Sequence, residues 1–273
     1  MWSIVILLSL FSCVWLSEAR VTCDHVNIHE LEEKLKNANL DFGVVTQSLL
    51  NYTSIREPDR DWDWFQIGSN TMDPHLNMND PMLKYLPEFK NWRKFFVEPI
   101  PPLYESLKEN IKRFDNAVAI NVAISPNDDD EEGIAIMYCP DPQKANQWWG
   151  NQICSFNKNH IKLHFPESDE IPVNVTSVSI SYLLRKYPIY DVGFLLIDTE
   201  GYDYHVLKQI PFHSRLFRRP PLIVYEHKHL HDKEPLAIKY LNDNCYAVLS
   251  PFPGDVENSM AFDLDFLKSA KFF

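Results

Sequence analysis

The feature of this sequence that most restricts its fold is a regular alternation of segment types from about residue 61 onwards. Short apolar segments with strand character alternate with segments whose apolar residues recur every three or four positions. This alternation is typical of an α/β fold in which helices cover both faces of a mostly parallel sheet. The predicted strands are 62–67, 94–98, 117–124, 193–198, 222–226, 246–250 and a final antiparallel one at 259–264, with an extra strand at 133–139. The predicted helices of this region are 80–92, 101–114, 179–187, 202–210 and 233–242.

The N-terminus has the pattern of a secretory leader. No charged residue precedes Glu18, and an apolar run spans residues 4–16. This run has the length of a signal-peptide core and is short for a membrane span. We therefore predict a signal peptide at 1–19, cleaved before Arg20, with a retained signal anchor as the alternative.

The rest of the chain is long enough for one α/β domain with a full core. We place this domain at 61–273, with an insertion at about 126–172 where substrate-specific loops are expected. Residues 20–60 are predicted to be an N-terminal helical lead-in, with one amphipathic helix at 29–38 and a polar linker after it.

Two further features agree with a secreted or lumenal location. Asn51 and Asn174 each begin an Asn-x-Thr sequence, which accepts a glycan only in the secretory lumen. Outside the leader the chain has an even number of cysteines, which allows two disulfides in three possible pairings, and buried free thiols are the alternative. These cysteines are Cys23, Cys139, Cys154 and Cys245.

The net charge limits the class of partner. The chain has 26 Lys+Arg and 38 Asp+Glu, a net charge of −12. Cleavage of the leader removes only Glu18, so 26 bases and 37 acids remain, a net charge of −11. An acidic chain is a poor partner for nucleic acid and for an anionic membrane surface, whereas it can accept a cationic ligand.

Polar residues that follow the predicted strands indicate a nucleoside site, because ligands of open parallel sheets bind beyond the carboxyl ends of the strands. Glu98 closes the second strand, where a carboxylate can accept hydrogen bonds from both hydroxyls of a ribose. The turn after the first strand has a single glycine, Gly68, whereas a dinucleotide pyrophosphate favours a glycine-rich turn. S-adenosylmethionine carries no phosphate, and Ser69 and Asn70 can contact its amino-acid end.

Four segments resemble, in order, the sequence blocks of the FkbM methyltransferase family. They are 65–70 (FQIGSN), 96–101 (FVEPIP), 121–125 (NVAIS) and 196–207 (LIDTEGYDYHVL). The resemblance implies a class I, Rossmann-like methyltransferase fold with a doubly wound, seven-stranded sheet. It also implies that S-adenosylmethionine contacts a set of strand-end residues, namely Gly68, Ser69, Asn70, Glu98, Ala123, Ile124, Ser125 and Asp198. Family members commonly have a second glycine soon after the asparagine, where this chain has Thr71-Met-Asp73.

Methylation of a hydroxyl group requires a base that takes the proton as the oxygen attacks. Asp198 and Glu200 follow the strand at 193–198, and His227 follows the strand at 222–226, so we predict these three residues as the catalytic candidates. For Glu200 the alternative is a cap on the next helix, where a carboxylate is favoured.

Two groups of ring-bearing residues, one of histidines and one of tryptophans, can be either structural or part of a binding site. His227, His229 and His231 alternate along the chain, but histidines on a polar loop are more often solvated than bound to metal, so we predict no metal. Trp148 and Trp149 can form a sugar-stacking wall or pack in the core of the insertion.

The sequence thus predicts a secreted or lumenal O-methyltransferase with a glycan or small-molecule acceptor. A catalytically silent methyltransferase fold that serves as a protein-interaction module is the alternative, since the second glycine is missing. An NAD-dependent oxidoreductase is disfavoured because the first turn has one glycine.

Overall fold

The computed structural model describes residues 23, 25–73, 83–124, 131–145, 147, 149–150 and 152–273. The predicted leader at 1–19 lies outside the described residues. The α-helices and strands, in chain order, are α1 (Ile28–Asn37), α2 (Phe42–Arg56), β1 (Asp63–Ile67), β2 (Arg93–Val97), α3 (Pro101–Asn110), β3 (Ala117–Ile120), β4 (Ala123–Ile124), β5 (Gly133–Pro140), α4 (Lys158–His164), β6 (Glu170–Val178), α5 (Ile180–Lys186), β7 (Val192–Ile197), α6 (Asp203–Leu207), β8 (Leu222–Glu226), α7 (Glu234–Asp243), β9 (Tyr246–Leu249), β10 (Asn258–Asp263) and α8 (Leu264–Ala270). Short 3-10 helices lie at Leu83–Glu88, Ile111–Arg113 and His231–Lys233.

Seven strands form the main sheet, in the order β3-β2-β1-β7-β8-β10-β9. All neighbours are parallel except that β10 runs antiparallel to both β8 and β9. The predicted Rossmann-like, mostly parallel seven-stranded sheet is therefore confirmed. The strand order runs in opposite directions from β1 and β7, so the crevice between these two strands is where such sheets bind ligands.

Helices cover both faces of this sheet because each strand is apolar on both sides. In β7, Phe194 and Leu196 pack into one core layer, while Leu195 and Ile197 pack into the other. Successive side chains of a strand point to opposite faces, which explains this division. The first layer contains residues of α1, α2, α8 and the end of α3, and the second contains residues of α5, α6 and α7.

The predicted strand at 117–124 is wrong in its second half. β3 ends at Ile120, and β4 joins a separate three-stranded sheet of order β4-β6-β5. Between them, the Asn121 side chain donates to the carbonyl oxygens of Glu98 and Pro99 at 2.8 and 3.1 Å. These bonds fix the point where the chain leaves the main sheet. The prediction missed it because the spacing of apolar residues does not indicate side-chain hydrogen bonds.

Two other segments differ from the prediction. The predicted polar linker contains α2, whose Phe42, Val45 and Leu49 are buried in the core. Asp41 caps this helix by accepting a hydrogen bond from Val44 N at 2.8 Å. The described part of the predicted helix at 80–92 is a 3-10 helix that contains Pro87, which lacks the N–H an α-helix requires.

The structure resolves the cysteine alternatives in favour of two disulfides. Cys23 pairs with Cys245 at the start of β9, and Cys139 of β5 pairs with Cys154. In the described part of the chain, no helix combines the length and apolarity that crossing a membrane requires.

Candidate active site

A cavity of about 510 Å³ lies at the carboxyl ends of β1, β2, β7 and β8. Its volume is within the range of small-molecule sites. One wall comes from the main sheet, and the opposite wall comes from the second sheet and the segment around α4. The cavity thus lies at the crevice that the strand order predicts.

Gly68 allows the ends of β1 and β7 to approach each other. Its φ is +79°, and a Cβ built on it would lie 1.6 Å from the carbonyl oxygen of Asp198. Asp198 N also donates to the carbonyl oxygen of Ile67 at 2.9 Å. Any side chain at this position would therefore both strain the turn and displace the end of β7.

Glu98 is a buried carboxylate at the edge of the cavity, with 4% of its surface exposed. Its Oε2 accepts a hydrogen bond from Asn70 N, and its Oε1 accepts one from Ile100 N, both at 2.9 Å. Burial raises the pKa of Glu98 to about 7, against the lowering effect of these two amide donors. Each oxygen has a further lone pair, so the fixed carboxylate can still accept hydrogen bonds from two hydroxyls.

The loop after β1 has non-glycine residues in the left-handed region. Asn70 has φ +50° and Met72 has φ +51°, and the Met72 side chain is fully buried. Asn110 donates to the carbonyl oxygen of Thr71 at 2.9 Å, and Arg113 donates to that of Met72 at 2.7 Å. Burial of the methionine and these two bonds offset a backbone cost of about 1–2 kcal/mol for each of the two residues, so this turn forms without the second glycine.

Three of the other residues predicted to contact the donor also line the cavity. Ala123 and Ile124 are buried and line the cavity. Ser69 also lines it, although its hydroxyl donates to the carbonyl oxygen of Gln66 at 3.1 Å. Ser125 lies outside the described residues.

Asp198 and Glu200 both line the cavity, but their surroundings differ. Asp198 is exposed, whereas Glu200 Oε2 lies 2.8 Å from Nε2 of the buried His160. The Glu200 backbone is also held, because Ser155 Oγ donates to its carbonyl oxygen at 3.0 Å. The predicted helix cap is not formed: α6 begins after Tyr202 without a side-chain cap.

A group of three histidines borders Glu200. His160 and His164 come from α4, His229 follows β8, and their ring centroids are 4.7–4.9 Å apart. Burial, and then the neighbouring histidines, lower the pKa of His229 to about 3. Sequence reasoning missed His160 and His164, although their spacing of four places two side chains on one helical face.

Glu226, the last residue of β8, is the second carboxylate of this group. Its Oε1 lies 2.6 Å from Nδ1 of His229. Burial, and then the charges of Asp198 and Glu200, raise the pKa of Glu226 well above its usual value. The buried Glu226, the half-buried Glu200 and three imidazoles therefore meet at the end of the cavity that faces α4.

His227, the third catalytic candidate, does not line the cavity. Its Nδ1 lies 3.0 Å from Ser259 Oγ, and Ser259 Oγ in turn lies 2.6 Å from Ser250 Oγ. Trp149 does line the cavity and packs on Phe165, with ring centroids 4.9 Å apart. Trp148 lies outside the described residues.

Comparison with known proteins agrees with the sequence blocks. The family described as "Methyltransferase FkbM domain" matches residues 66–268. A search of curated proteins finds no significant match.

Fourteen solved chains match by structure. A precorrin-6y C5,15-methyltransferase from Geobacter metallireducens has 14% identity, a TM-score of 0.36 and coverage of 84% of this chain and 94% of its own. A precorrin 8w decarboxylase from Methanobacterium thermoautotrophicum has 11% identity, a TM-score of 0.37 and coverage of 80% and 89%. A TDP-rhamnose 3'-O-methyltransferase of calicheamicin biosynthesis has 11% identity, a TM-score of 0.38 and coverage of 86% and 92%. These likenesses are too distant to support a conclusion about activity.

The close approach at Gly68 predicts the effect of two matched substitutions. Gly254 also has a positive φ, of +82°, but among the described residues other than its two chain neighbours no atom lies within 4 Å of a Cβ built there. Gly254→Ala should therefore lower the free energy of unfolding only by the backbone cost, about 1–2 kcal/mol. Gly68→Ala adds the clash with Asp198 and should cost more than about 4 kcal/mol. Urea unfolding of both variants measures the difference, and equal losses would contradict the close approach.

Proposed function

The chain belongs to the FkbM methyltransferase family, which makes it an S-adenosylmethionine-dependent methyltransferase, and we propose that it methylates a hydroxyl group of a glycan or small-molecule acceptor. The observation that carries the proposal is the fixed, buried Glu98 carboxylate beside the Gly68 turn, in a cavity that also contains acidic groups at its other end.

The residues of the cavity fit the donor. Gly68 provides close backbone approach at a turn with no room for a side chain. Glu98 presents a carboxylate whose orientation two backbone amides fix, which suits the two hydroxyls of a ribose. Ala123 and Ile124 add an apolar wall against which the adenine ring of the donor can pack. When bound, S-adenosylmethionine supplies an electrophilic methyl group on a sulfonium, and an acidic pocket stabilises that positive charge.

The acceptor side also has the groups that hydroxyl methylation requires. Asp198 lines the cavity and is exposed within it, so we assign its carboxylate as the group that takes the hydroxyl proton. Glu200 Oε2 already contacts Nε2 of His160, so we assign Glu200 to the positioning of His160 and not to the acceptance of the hydroxyl proton. Trp149 also lines the cavity and offers an aromatic face of the kind on which a sugar ring packs.

The donor site predicts a ligand-dependent rise in stability. A ligand that binds only the native state at a hundredfold excess over its Kd stabilises it by about 2.7 kcal/mol. S-adenosylhomocysteine should therefore raise the unfolding temperature of the purified protein, and Glu98→Gln should abolish the rise. Glu105→Gln is the matched control, because Glu105 is an exposed glutamate of α3 that pairs only with Lys108 among the described residues.

The acceptor is tested in the same preparation with a methyl-labelled donor and a panel of glycans. Label that enters the glycans and resists mild base indicates a methyl ether. A folded protein whose unfolding temperature does not respond to S-adenosylhomocysteine would contradict the proposal and favour the silent interaction module.

We also propose that the protein acts in the secretory lumen or outside the cell. Two disulfides support this location, since such bonds persist in oxidising compartments. Both sequons support it as well, because Asn51 in α2 and Asn174 in β6 are exposed.

This location predicts two N-linked glycans on the full chain expressed in a secreting cell. Endoglycosidase should increase its electrophoretic mobility, and Asn51→Gln and Asn174→Gln should each remove one step of that change. A protein that remains unglycosylated, with four reduced cysteines, would contradict the lumenal location.

A further inference from the structure

Five polar side chains lie close together at the α4 end of the cavity. Two overlapping sets of three side chains each bring their ligand atoms within 4.8 Å of one another, and His229 belongs to both. The five residues, named the His/Glu cluster below, are His160, His164, Glu200, Glu226 and His229. They come from α4, from the segments after β7 and β8, and from the end of β8 itself.

The spacing of the nearest atoms resembles that of ligands around a metal ion. His160 Nε2 lies 2.8 Å from Glu200 Oε2, which lies 3.3 Å from His229 Nδ1. His229 Nδ1 lies 2.6 Å from Glu226 Oε1. Ligand atoms held 2.0–2.2 Å from one ion lie roughly 3–3.5 Å apart, so small side-chain rotations produce such a sphere.

Hydrogen bonding leaves part of the cluster unsatisfied. Both ring nitrogens of His229 are buried without a hydrogen-bond partner among the described residues, although Nδ1 lies close to the carboxylates of Glu200 and Glu226. Glu226 Oε2 is likewise buried without a partner in the described chain, and Glu226 is only 6% exposed. Buried polar atoms are costly unless bound, so the cluster requires a further group.

The charges indicate that this group is a cation. In the described chain, the carboxylates of Glu200 and Glu226 form ion pairs only with histidines. The nearby Lys228 pairs with Glu257 instead. Carboxylates bind a metal in the ionised form and imidazoles in the neutral form, so in that state the two acids carry a charge of −2, which one divalent cation neutralises.

We propose that the His/Glu cluster binds one divalent transition-metal ion of the Zn²⁺ class, through the imidazoles of His160, His164 and His229 and a carboxylate of Glu200 or Glu226. Imidazole ligands favour such ions over Mg²⁺ and Ca²⁺, which take oxygen ligands. The proposal replaces the expectation, drawn from the sequence, that the protein binds no metal.

The ion deepens the proposed function, on which this part of the inference rests. The cluster borders the cavity, so an ion there lies within reach of an acceptor hydroxyl. An ion bound there would lower the pKa of an acceptor hydroxyl that binds it, and the lost proton would pass to Asp198 in the same cavity. The hydroxyl oxygen would then form a bond to the methyl carbon while the bond between that carbon and the donor sulfur breaks. Substitution of the cluster should therefore affect acceptor methylation more than donor binding.

The test measures Zn²⁺ uptake by the untagged full chain after removal of metal with a chelator. Calorimetric titration should show one equivalent of Zn²⁺ for the wild type, and Mg²⁺ should not compete. His160→Ala and His229→Ala should weaken binding by more than the 10–100-fold that loss of an outer partner costs. His29→Ala is the matched control, because the His29 side chain is 80% exposed on α1, and it should bind as the wild type does.

Two readouts keep the test decisive if a variant misfolds. Co²⁺ added to the wild-type protein should give visible absorption bands typical of nitrogen ligands, which requires no substitution. Zn²⁺ should also raise the unfolding temperature of the wild type. A wild type that takes up no Zn²⁺ and gives no Co²⁺ bands would overturn the proposal, as would equal binding by His29→Ala and His160→Ala.

Failure of the metal site and failure of the proposed function are distinguishable. A protein that binds S-adenosylhomocysteine but no Zn²⁺ retains the donor site and lacks the metal. A protein that binds Zn²⁺ at the His/Glu cluster but no S-adenosylhomocysteine retains the metal site and is not the proposed methyltransferase.

Discussion

The contact between the backbones of Gly68 and Asp198 determines where everything else in the site can lie. It brings the ends of β1 and β7 together at the point where the strand order changes direction, and it is possible only because position 68 has no Cβ. With the two strand ends in contact, the Glu98 carboxylate meets the amide of Asn70 across the turn. On the other side, Glu200 turns with φ +53° towards α4. The positions of Glu98 at one end of the cavity and of Glu200 at the other thus both follow from this close approach.

Each end of the cavity has a buried acid, and the two acids differ in the groups that surround them. Glu98 is satisfied by two amides, and its raised pKa results from desolvation, so it is a rigid acceptor for neutral donors such as hydroxyls. Glu226 has other carboxylates nearby and an oxygen without a hydrogen-bond partner in the described chain. An uncompensated buried charge destabilises a protein by several kcal/mol unless a partner is bound. The proposed donor cation and metal ion would supply positive charge on the acidic side of the cavity.

The sequence predicted the parts of this structure that depend on local pattern. Buried parallel strands are apolar throughout, so 222–226 was predicted at its observed bounds and 193–198 differs from β7 by one residue. Gly68, Asn70 and Glu98 were predicted to lie together at the strand ends, and they line one cavity, because polar residues at strand ends are visible in the sequence. Three other features depend on contacts between distant segments. They are the point at Asn121 where the chain leaves the main sheet, the helix α2, and the pairing of His160 with Glu200. Periodicity contains no information about such contacts, although the spacing of His160 and His164 was a signal that could have been used.

A crystal structure with S-adenosylhomocysteine tests whether the cavity between β1, β2 and β7 is the donor site. We expect the ligand to occupy this cavity with its ribose hydroxyls on the Glu98 carboxylate and its sulfur on the side towards Asp198. A ligand bound elsewhere, or bound in the cavity without contact to Glu98, would contradict it.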